Sequence, residues 1–279
     1  MLTFLKKRKK NPGEKLRSLL GKFELPSFNA TVMKVLSLLR DPDSSIKEIT
    51  GQVQIDPGMH VKTLRTVNAA AYGLASKVSN IQHAVTLLGR SRLESAIISI
   101  AVKDALPEIQ SPHLDEKRFW ETALERACLA GALAGCLHPS TKAESFICAL
   151  LQDMAIPVIM HANRERYIVV LDQWFAGRES MLDKIEKKAL GYDHAAIGAL
   201  MAEKWDLPEH VVKAIGGHHG ENGDGNAEAA VKLVSHLRYA DEDKVSVLRK
   251  KGMTEYEMDA HRLDEMIQKA FGDAGRFRV

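Results

Sequence analysis

The spacing of apolar residues constrains the fold of this chain more than any other feature. Apolar side chains recur every three to four positions along nearly every segment, which is the period of an α-helix with one buried face. In the second such segment the apolar stripe consists of Val32, Val35, Leu36 and Leu39, and Pro42 ends the helix. No run alternates apolar and polar residues as a half-buried strand would. The sequence therefore predicts an all-α protein whose many helices form two packed helical halves.

Changes in composition along the chain predict how these helices are grouped. The stretch 107–116 contains two prolines and few apolar residues, which indicates an internal boundary. Upstream, a run of basic residues ends at Asn11-Pro12-Gly13. We therefore expect a flexible basic arm over residues 1–13 and an N-terminal helical half over 14–110. A second helical half over 111–245 and a C-terminal helical extension over 246–279 follow.

The charge balance argues against dedicated nucleic-acid binding. The chain has 279 residues with 39 Lys and Arg against 36 Asp and Glu, a net charge of +3, and no concentrated basic face. The cluster from Lys6 to Lys10 is the exception. It is interpreted either as a solvated arm or as a segment that contacts phosphates or an anionic membrane surface. We expect no specific nucleic-acid partner.

The sequence also predicts a cytoplasmic protein. No stretch is predicted to combine the length and apolarity of a membrane span, and the apolar residues of the N-terminus precede its charges, in the reverse order of a secretory signal. The three cysteines, Cys128, Cys136 and Cys148, lie in apolar helical pattern without metal-type pairing. They are predicted to be buried thiols in a reducing compartment. We expect no transmembrane segment.

One helical stretch, from Ile147 to Met160, contains a carboxylate that needs explaining. It is apolar almost all the way round, yet Gln152 and Asp153 lie in its middle, and an unpaired buried charge is costly. Pro157 has no N–H to donate to the carbonyl of Asp153 four residues earlier. The helix is therefore predicted to kink or loosen at Asp153, where a carbonyl and a carboxylate both need partners.

Several histidines and aspartates in the second half are candidates for chemistry. They are Asp153, His194, His218, His219 and Asp241, each at the end or on the face of a predicted helix. Imidazoles and carboxylates from several helices are a usual way to hold a hydrolytic metal ion. The alternative is that they cap helices or lie on the surface, since Asp193 resembles an N-cap. Spacing alone leaves both interpretations open.

A series of motifs extends over about 16–241 and consists of Leu25-Pro26, Asp41-Pro42, Asp56-Pro57, Asn68 to Gly73, Ile81, Ala84-Val85, Leu88-Gly89, Trp120 and the stretch GYDHAAIGALMAEKWDLPEHVVKAIGGHHG. The order of these motifs resembles the HDOD domain, the helical bacterial signalling relative of the HD-type metal-dependent phosphohydrolases. It implies a multi-helical HD-related fold, in which residues 111–245 form the HD-like half.

The resemblance also implies that the HD-type catalytic site has degenerated. Where HD proteins have a His-Asp pair followed by Gly and often Lys, this chain has Gln152, Ala155 and Ile156 in place of His, Gly and Lys. Where a further His is expected soon after the Trp, it has Thr122 or Ala123. An amide oxygen is a poor substitute for imidazole on a transition metal, and loss of the Lys removes a cation that would neutralise a phosphate.

The resemblance leaves four residual metal-ligand candidates: Asp153, His194, His218 and Asp241. We expect no cofactor, with a divalent Fe, Mn, Zn or Ni ion as the alternative. In the metal-free interpretation Asp153 is a structural joint that accepts hydrogen bonds from His194 or His218. Replacing Asp153 with Ala would then cost about 1–3 kcal/mol by stranding those donors.

The function implied is that of a non-enzymatic bacterial signal-transduction protein that binds a protein partner or a small ligand. The alternative is a metal-dependent phosphohydrolase that acts on a nucleotide or cyclic dinucleotide. Partner, input signal and oligomeric state are not indicated by the sequence. The amphipathic tail after Thr254 is interpreted either as a docking helix or, more in keeping with its apolar stripe, as a helix that packs on the core.

Overall fold

The fold is all-α. The computed structural model describes residues 11–21, 23–68, 77–109, 111, 113–177, 181–220, 229–237 and 245–275. The helices are α1 (Pro12–Leu20), α2 (Ala30–Arg40), α3 (Ile46–Gln54), α4 (Pro57–Val67), α5 (Ile81–Ala105), α6 (Glu116–Leu137), α7 (Lys142–Leu151), α8 (Ala155–Ala162), α9 (Arg164–Ala176), α10 (Leu182–Leu190), α11 (His194–Lys204), α12 (Glu209–Gly217), α13 (Ala229–Val234), α14 (Ser246–Glu255) and α15 (Ala260–Gly275). No β-strand occurs among the described residues, and Ser111 and Leu114 form an isolated bridge.

Local side-chain chemistry sets many helix starts. The caps whose side chains accept a backbone N–H one turn inside the helix are Asn11, Asn29, Ser45, Asp56, Asn80, Asp115 and Asp193. The first of them changes one expectation. Because Asn11 caps α1 and Pro12 begins it, residues 11–13 belong to a helix and not to a flexible arm. Lys6 to Lys10 lie outside the described residues.

Helix α6 lies at the centre of the second half of the chain. It packs along α7, α13 and α15, and half of its residues are buried. One cluster of buried apolar side chains extends from Leu16 in α1 to Ala274 in α15, so the elements on both sides of 107–116 share a core. The segment 107–116 itself connects α5 to α6.

The segment after α1 packs against the end of α11. Trp205, at the end of α11, stacks on Phe28 with ring centroids 4.8 Å apart. Its indole N–H donates to the carbonyl of Pro26 at 2.8 Å, and the ammonium of Lys204 donates to Leu25 at 2.9 Å. These contacts hold the N-terminal helices against the helix that begins at His194.

Two sequence predictions are corrected: that no stretch has the length and apolarity of a membrane span, and that all three cysteines are buried. The stretch Pro139–Ala162 is long and apolar enough to cross a membrane, contrary to the sequence prediction, but 78% of its apolar window is buried inside the protein. It is the core of a helical protein because α6, α11 and α12 cover it. Of the three free cysteines, Cys128 and Cys148 are buried as predicted, whereas Cys136 is exposed.

The C-terminal tail packs on the core. In α15, Leu263, Ile267, Ala270 and Ala274 are buried, and the helix lies along α6. Arg262 reaches the exposed Cys136 of α6, with 3.2 Å between guanidinium nitrogen and sulfur. Of the two interpretations of this amphipathic segment, core packing is the one observed.

Candidate functional site

The helix predicted over the Ile147–Met160 stretch is interrupted at Asp153. Helix α7 ends at Leu151 and α8 begins at Ala155, so residues 152–154 form a break. The carbonyl of Asp153 accepts instead from the N–H of Ile156 at 2.9 Å, a tighter turn than an α-helix makes. This confirms the predicted loosening, because Pro157 cannot supply the missing donor.

Four side chains converge at this break. Asp153 lies in the break, His194 is the first residue of α11, and His218 and His219 follow the last residue of α12. One ligand atom from each lies within 4.8 Å of all the others. The Nε2 atom of His194 is 3.3 Å from Nε2 of His218 and 2.8 Å from Nε2 of His219. Asp153 Oδ1 lies 3.5 Å and 3.4 Å from Nε2 of His194 and His218.

These separations suit a metal ion. Bonds of about 2.0–2.1 Å in a tetrahedron place neighbouring ligand atoms roughly 3.3–3.4 Å apart. The separations among Asp153, His194 and His218 match that value. The distance of 2.8 Å between Nε2 of His194 and Nε2 of His219 is shorter. Three imidazoles and a carboxylate are donors that first-row transition metals accept. The group is therefore able to hold a divalent ion.

A second layer of hydrogen bonds aims the imidazoles inward. His194 donates from Nδ1 to the carboxylate of Glu186 at 2.6 Å, and the hydroxyl of Tyr167 donates to the other Glu186 oxygen at 2.5 Å. His218 donates from Nδ1 to the carbonyl of Ile215 at 2.7 Å. Both rings thus present Nε2 to the group, as metal-bound histidines do. In the described part of the chain, His219 Nδ1 is buried without a partner.

Arg126 introduces a permanent cation into the site. Its guanidinium forms a buried ion pair with Asp153 Oδ2, the oxygen that faces away from the imidazoles. It also donates from Nε and Nη2 to the carbonyl of Leu237, at 3.1 Å and 2.6 Å. Arg126 therefore connects α6 both to the helix break and to the turn that follows α13. Because a guanidinium is always positively charged, Arg126 balances the negative charge of the Asp153 carboxylate with or without a metal ion.

The electrostatics divide the imidazoles into two kinds. Burial by itself would raise the pKa of Asp153, but the guanidinium of Arg126 and the bonds from His194 and His218 hold that pKa well below its usual value. Burial would lower the pKa of His194, yet the carboxylates of Glu186 and Asp153 hold it well above. Burial, followed by the charges of His218 and His194, lowers the pKa of His219. A metal ion would displace the proton on His194 Nε2.

The positions at which the family resemblance implies that a catalytic residue has been lost are all buried. Thr122, Ala123, Ala155 and Ile156 are packed in the core and none belongs to the group of four. Gln152 is also buried, and neither its amide oxygen nor its nitrogen has a partner among the described residues. A buried amide in that state is usually bonded to water or a ligand.

The predicted candidates divide as follows. The structure brings Asp153, His194 and His218 together, and their role as ligands stays a prediction. Asp241 lies outside the described residues. His219, noted in the sequence but not retained as a ligand candidate, completes the group.

Two residues around the site, Arg126 and Glu186, were not predicted from the sequence. Only Arg126 could have been found from the sequence pattern. Arg126 is a charge inside an apolar helix, as Asp153 is, and two such opposite charges predict a pair. Glu186 gave no signal, because it lies on a polar helix.

Comparison with known proteins gives one longer relative and several solved structures of similar fold. An uncharacterized protein of Treponema pallidum (strain Nichols) is 26% identical over 197 residues, which is 70% of this chain, and the chain spans only 38% of that protein. A solved structure from Shewanella amazonensis SB2B, called "Putative phosphohydrolase", is 25% identical with a TM-score of 0.76, over 94% of this chain and 96% of that one. An HDOD domain protein with unknown function from Geobacter sulfurreducens is 20% identical with a TM-score of 0.70, over 96% and 97% of the two chains.

The family itself follows from the sequence profile. The profile of the HDOD domain matches residues 25–221, which include the helix break, the whole group of four and Arg126. The all-α fold, shared with the solved HDOD domain protein, agrees with that match. The chain therefore belongs to the HDOD domain family.

Proposed function

We propose that this protein is a regulatory, non-enzymatic signal-transduction protein of the cytoplasm that acts by binding a protein partner. In this proposal the buried group of Asp153, His194, His218 and His219 stabilises the fold and does not hydrolyse a substrate. The observation that carries the proposal is the ion pair between Arg126 and Asp153. A cation built into the chain neutralises the carboxylate that a hydrolytic centre would need.

The composition of the site supports this interpretation. A hydrolytic metal ion keeps a position open for the attacking water, whereas four protein ligands complete a tetrahedral ion, as in structural sites. Asp153 has no spare oxygen, since Oδ2 binds Arg126 and Oδ1 faces two imidazoles. Ile156 is fully buried and apolar where the resemblance implies a phosphate-binding lysine. A metal ion bound here would thus crosslink the break, α11 and α12.

The second candidate is a metal-dependent phosphohydrolase. It is favoured by the hydrogen bonds from Glu186 and Ile215 that orient His194 and His218, an arrangement typical of working metal centres. The name of the Shewanella relative points the same way. Such an enzyme would need an ion with more than four coordination positions, so that water could join the four side chains.

Metal content and hydrolysis, measured on the same preparation, separate the two candidates. The full-length chain, made without a histidine tag, is assayed for Fe, Mn, Zn and Ni and then for cleavage of bis(p-nitrophenyl) phosphate and a cyclic dinucleotide with each metal added. We expect no turnover above that of His194→Ala, whether or not metal is present. Metal-dependent turnover that His194→Ala abolishes would overturn the non-enzymatic proposal.

The partner is tested at exposed apolar positions, because such residues are typical of interaction surfaces. Ile55, Val61 and Val169 are 65%, 54% and 54% exposed. A photo-crosslinking residue at each position is expected to give a discrete heavier species in living cells at one of them. Crosslinking at none of the three would count against a partner on these faces and contradict the proposed mode of action.

A further inference from the structure

Two cavities have the same three helices, α5, α6 and α7, as their walls. The first has a volume of about 480 Å³ and is also bordered by α4. The second has a volume of about 570 Å³ and is also bordered by α15. No described lining residue of either cavity belongs to the buried group of Asp153 and the three histidines. The cavities are therefore a different part of the molecule from the site described above.

The positions of the lining residues show that the two cavities form one groove. Those on α5 include four residues of a single helical face, spaced i, i+3, i+7 and i+11: Arg92 and Ser95 in the second cavity, Ser99 and Lys103 in the first. On α6 the lining extends from Trp120 in the first cavity to Cys136 in the second, about 24 Å along the helix. Helix α7 packs against both α5 and α6, and its Phe146 lines both cavities. We call the two cavities together the central groove.

The central groove contains apolar surface that the rest of the chain does not fully cover. Four of its apolar side chains pack against the core but are only partly buried: Trp120, Leu124, Leu150 and Met266. On α6 the lining residues recur every three to four positions, which forms a ridge of the kind that packs against another helix. Partly covered apolar surface between helices is typical of a groove that binds an amphipathic helix.

The charges along the central groove favour an acidic occupant. Six exposed cations line it: Lys62, Arg65 and Lys103 in the first cavity, and Arg92, Lys142 and Lys269 in the second. Two carboxylates are also in the described lining, and one of them, Asp104, is already paired with Lys62 at 2.6 Å. Arg65, Arg92 and Lys269 have no ion-pair partner among the described residues. The groove therefore has an excess of positive charge at both ends.

We propose that the central groove binds an acidic amphipathic helix of a partner protein. This helix is about 16 residues long, to match the lined length of α6, and carries Asp or Glu in its first and last turns. Its apolar face packs on Phe146 and Leu150. The ammonium of Lys103 lies 5.7 Å from the centre of the Trp120 ring, so a carboxylate and an apolar side chain bind there side by side. The proposal rests on the proposed function, because it gives the chemistry of the protein partner.

A phage-displayed library of random peptides, each about 16 residues long, is selected on the full-length chain. We expect the enriched peptides to carry acidic residues near both ends and apolar residues at helical spacing. Their affinity, measured by fluorescence anisotropy, should be lower in about 0.5 M salt, because exposed charges are then screened. Enrichment of no peptide, or of neutral and basic peptides alone, would overturn the proposal.

Charge reversal shows whether an enriched peptide lies in the central groove. The double variants Arg65→Glu/Lys103→Glu and Arg92→Glu/Lys269→Glu reverse the charge at the first and the second cavity. Each should weaken binding at least about tenfold, because attraction to the acidic peptide becomes repulsion. The matched control is Arg118→Glu, since Arg118 is exposed on α6 and does not line the groove. An equal loss in the control, or none in the double variants, would overturn the proposal.

Ser99→Trp fills the central groove without a change of charge. Ser99 is half-buried, and its hydroxyl donates to the carbonyl of Ser95 in the same helix at 2.7 Å. The added indole occupies the space of the peptide, so binding should fall at least about tenfold. Ser99→Ala leaves the groove open and should bind as the unchanged protein does. Circular dichroism checks the fold of both variants, and unchanged binding by a folded Ser99→Trp would contradict the proposal.

The outcomes separate the central groove from the proposed function. If peptide binding does not depend on the groove but a partner crosslinks at Val169, the groove proposal fails and the protein-binding function stands. If peptides bind the groove and His194→Ala abolishes a metal-dependent turnover, the non-enzymatic function fails and the groove proposal stands. Sedimentation velocity tests the other occupant, a second copy of the chain. A dimer that Arg65→Glu/Lys103→Glu dissociates would overturn the proposal of an acidic partner.

Discussion

At the scale of single residues, the buried ion pair between Arg126 and Asp153 dominates the energetics of the site. Both side chains are almost fully buried, at 5% and 8% exposure. A buried pair contributes little compared with an apolar replacement, but removal of one partner leaves the other charge stranded. The cost of losing Asp153 is therefore larger than its contacts with the histidines alone would suggest.

Asp153→Ala is expected to lower the free energy of unfolding by about 3–5 kcal/mol, because Arg126 loses its counter-charge. Urea denaturation of the metal-free protein measures it. The double variant Asp153→Ala/Arg126→Met should recover a large part of the loss. As a control, Asp264→Ala breaks the exposed pair with Arg249 and should cost less than about 1 kcal/mol. Additive losses in the double variant would refute the pairing argument.

His236 is predicted to make stability depend on pH. Burial, and then the charge of Lys251, lowers its pKa from 6.5 to about 4. Because the unfolded chain takes up a proton below pH 6.5 and the folded chain does not, the contribution is present above pH 6.5 and is lost as the pH falls from 6.5 to 4. The change amounts to about 3 kcal/mol at most. His236→Asn should flatten this part of a stability-against-pH curve, and identical slopes would contradict the prediction.

At the scale of elements, the close approach of α11 and α12 positions two of the histidines. Gly198 permits that approach, since a Cβ built there would lie 2.8 Å from Ile215 Cγ2. A β-branched side chain has little freedom to move aside. The carbonyl of Ile215 also accepts the bond from His218. The packing of α11 against α12 therefore also affects the orientation of the His218 ring.

Gly198→Ala is expected to cost about 1–3 kcal/mol, because α12 must shift away from α11. The melting temperature and denaturant midpoint measure the loss. Gly272→Ala is the matched control: its Cβ would meet nothing within 4 Å in α15, and it should stabilise the protein by about 0.5–1 kcal/mol. An unchanged stability of Gly198→Ala would show that the interface between α11 and α12 can accommodate the added methyl group.

At the scale of the whole molecule, the C-terminal helix completes the core. Leu263 and Ile267 of α15 are 0% and 6% exposed, and the helix lies along α6, which carries Arg126. Each fully buried side chain of this size contributes about 1.5–3 kcal/mol. Loss of the helix would also expose the face of α6 that it covers.

A chain ending at residue 259 is thus expected to lose more than about 3 kcal/mol of stability, or its cooperative unfolding altogether. Circular dichroism during urea titration measures it. Lys269→Ala, on the exposed side of α15, serves as the control and should change the midpoint little. A truncated chain with an unchanged midpoint would instead identify α15 as a detachable docking helix.

Most features that depend on interactions between residues close together along the chain were predicted from the sequence, and features that depend on distant residues were not. Helix caps such as Asp56 and Asp193, and the break caused by Pro157, depend on atoms within one turn and are predictable. The limit of the basic arm was wrong by a few residues, since Asn11 and Glu14 cap each other's backbone and extend α1 backwards. The exposure of Cys136 depends on which side of α6 meets α15, and apolar pattern alone does not decide that.

The sequence by itself determined the helical class, the family resemblance and the anomaly at Asp153, because periodicity, motifs and an isolated buried charge are properties of local segments. Only the tertiary structure decided the partners of that carboxylate. Arg126 lies 27 residues away along the chain, and His219 lies farther still. Contacts of that kind arise when α6, the break, α11 and α12 pack together, since helix packing brings side chains into hydrogen-bond range that no local spacing links.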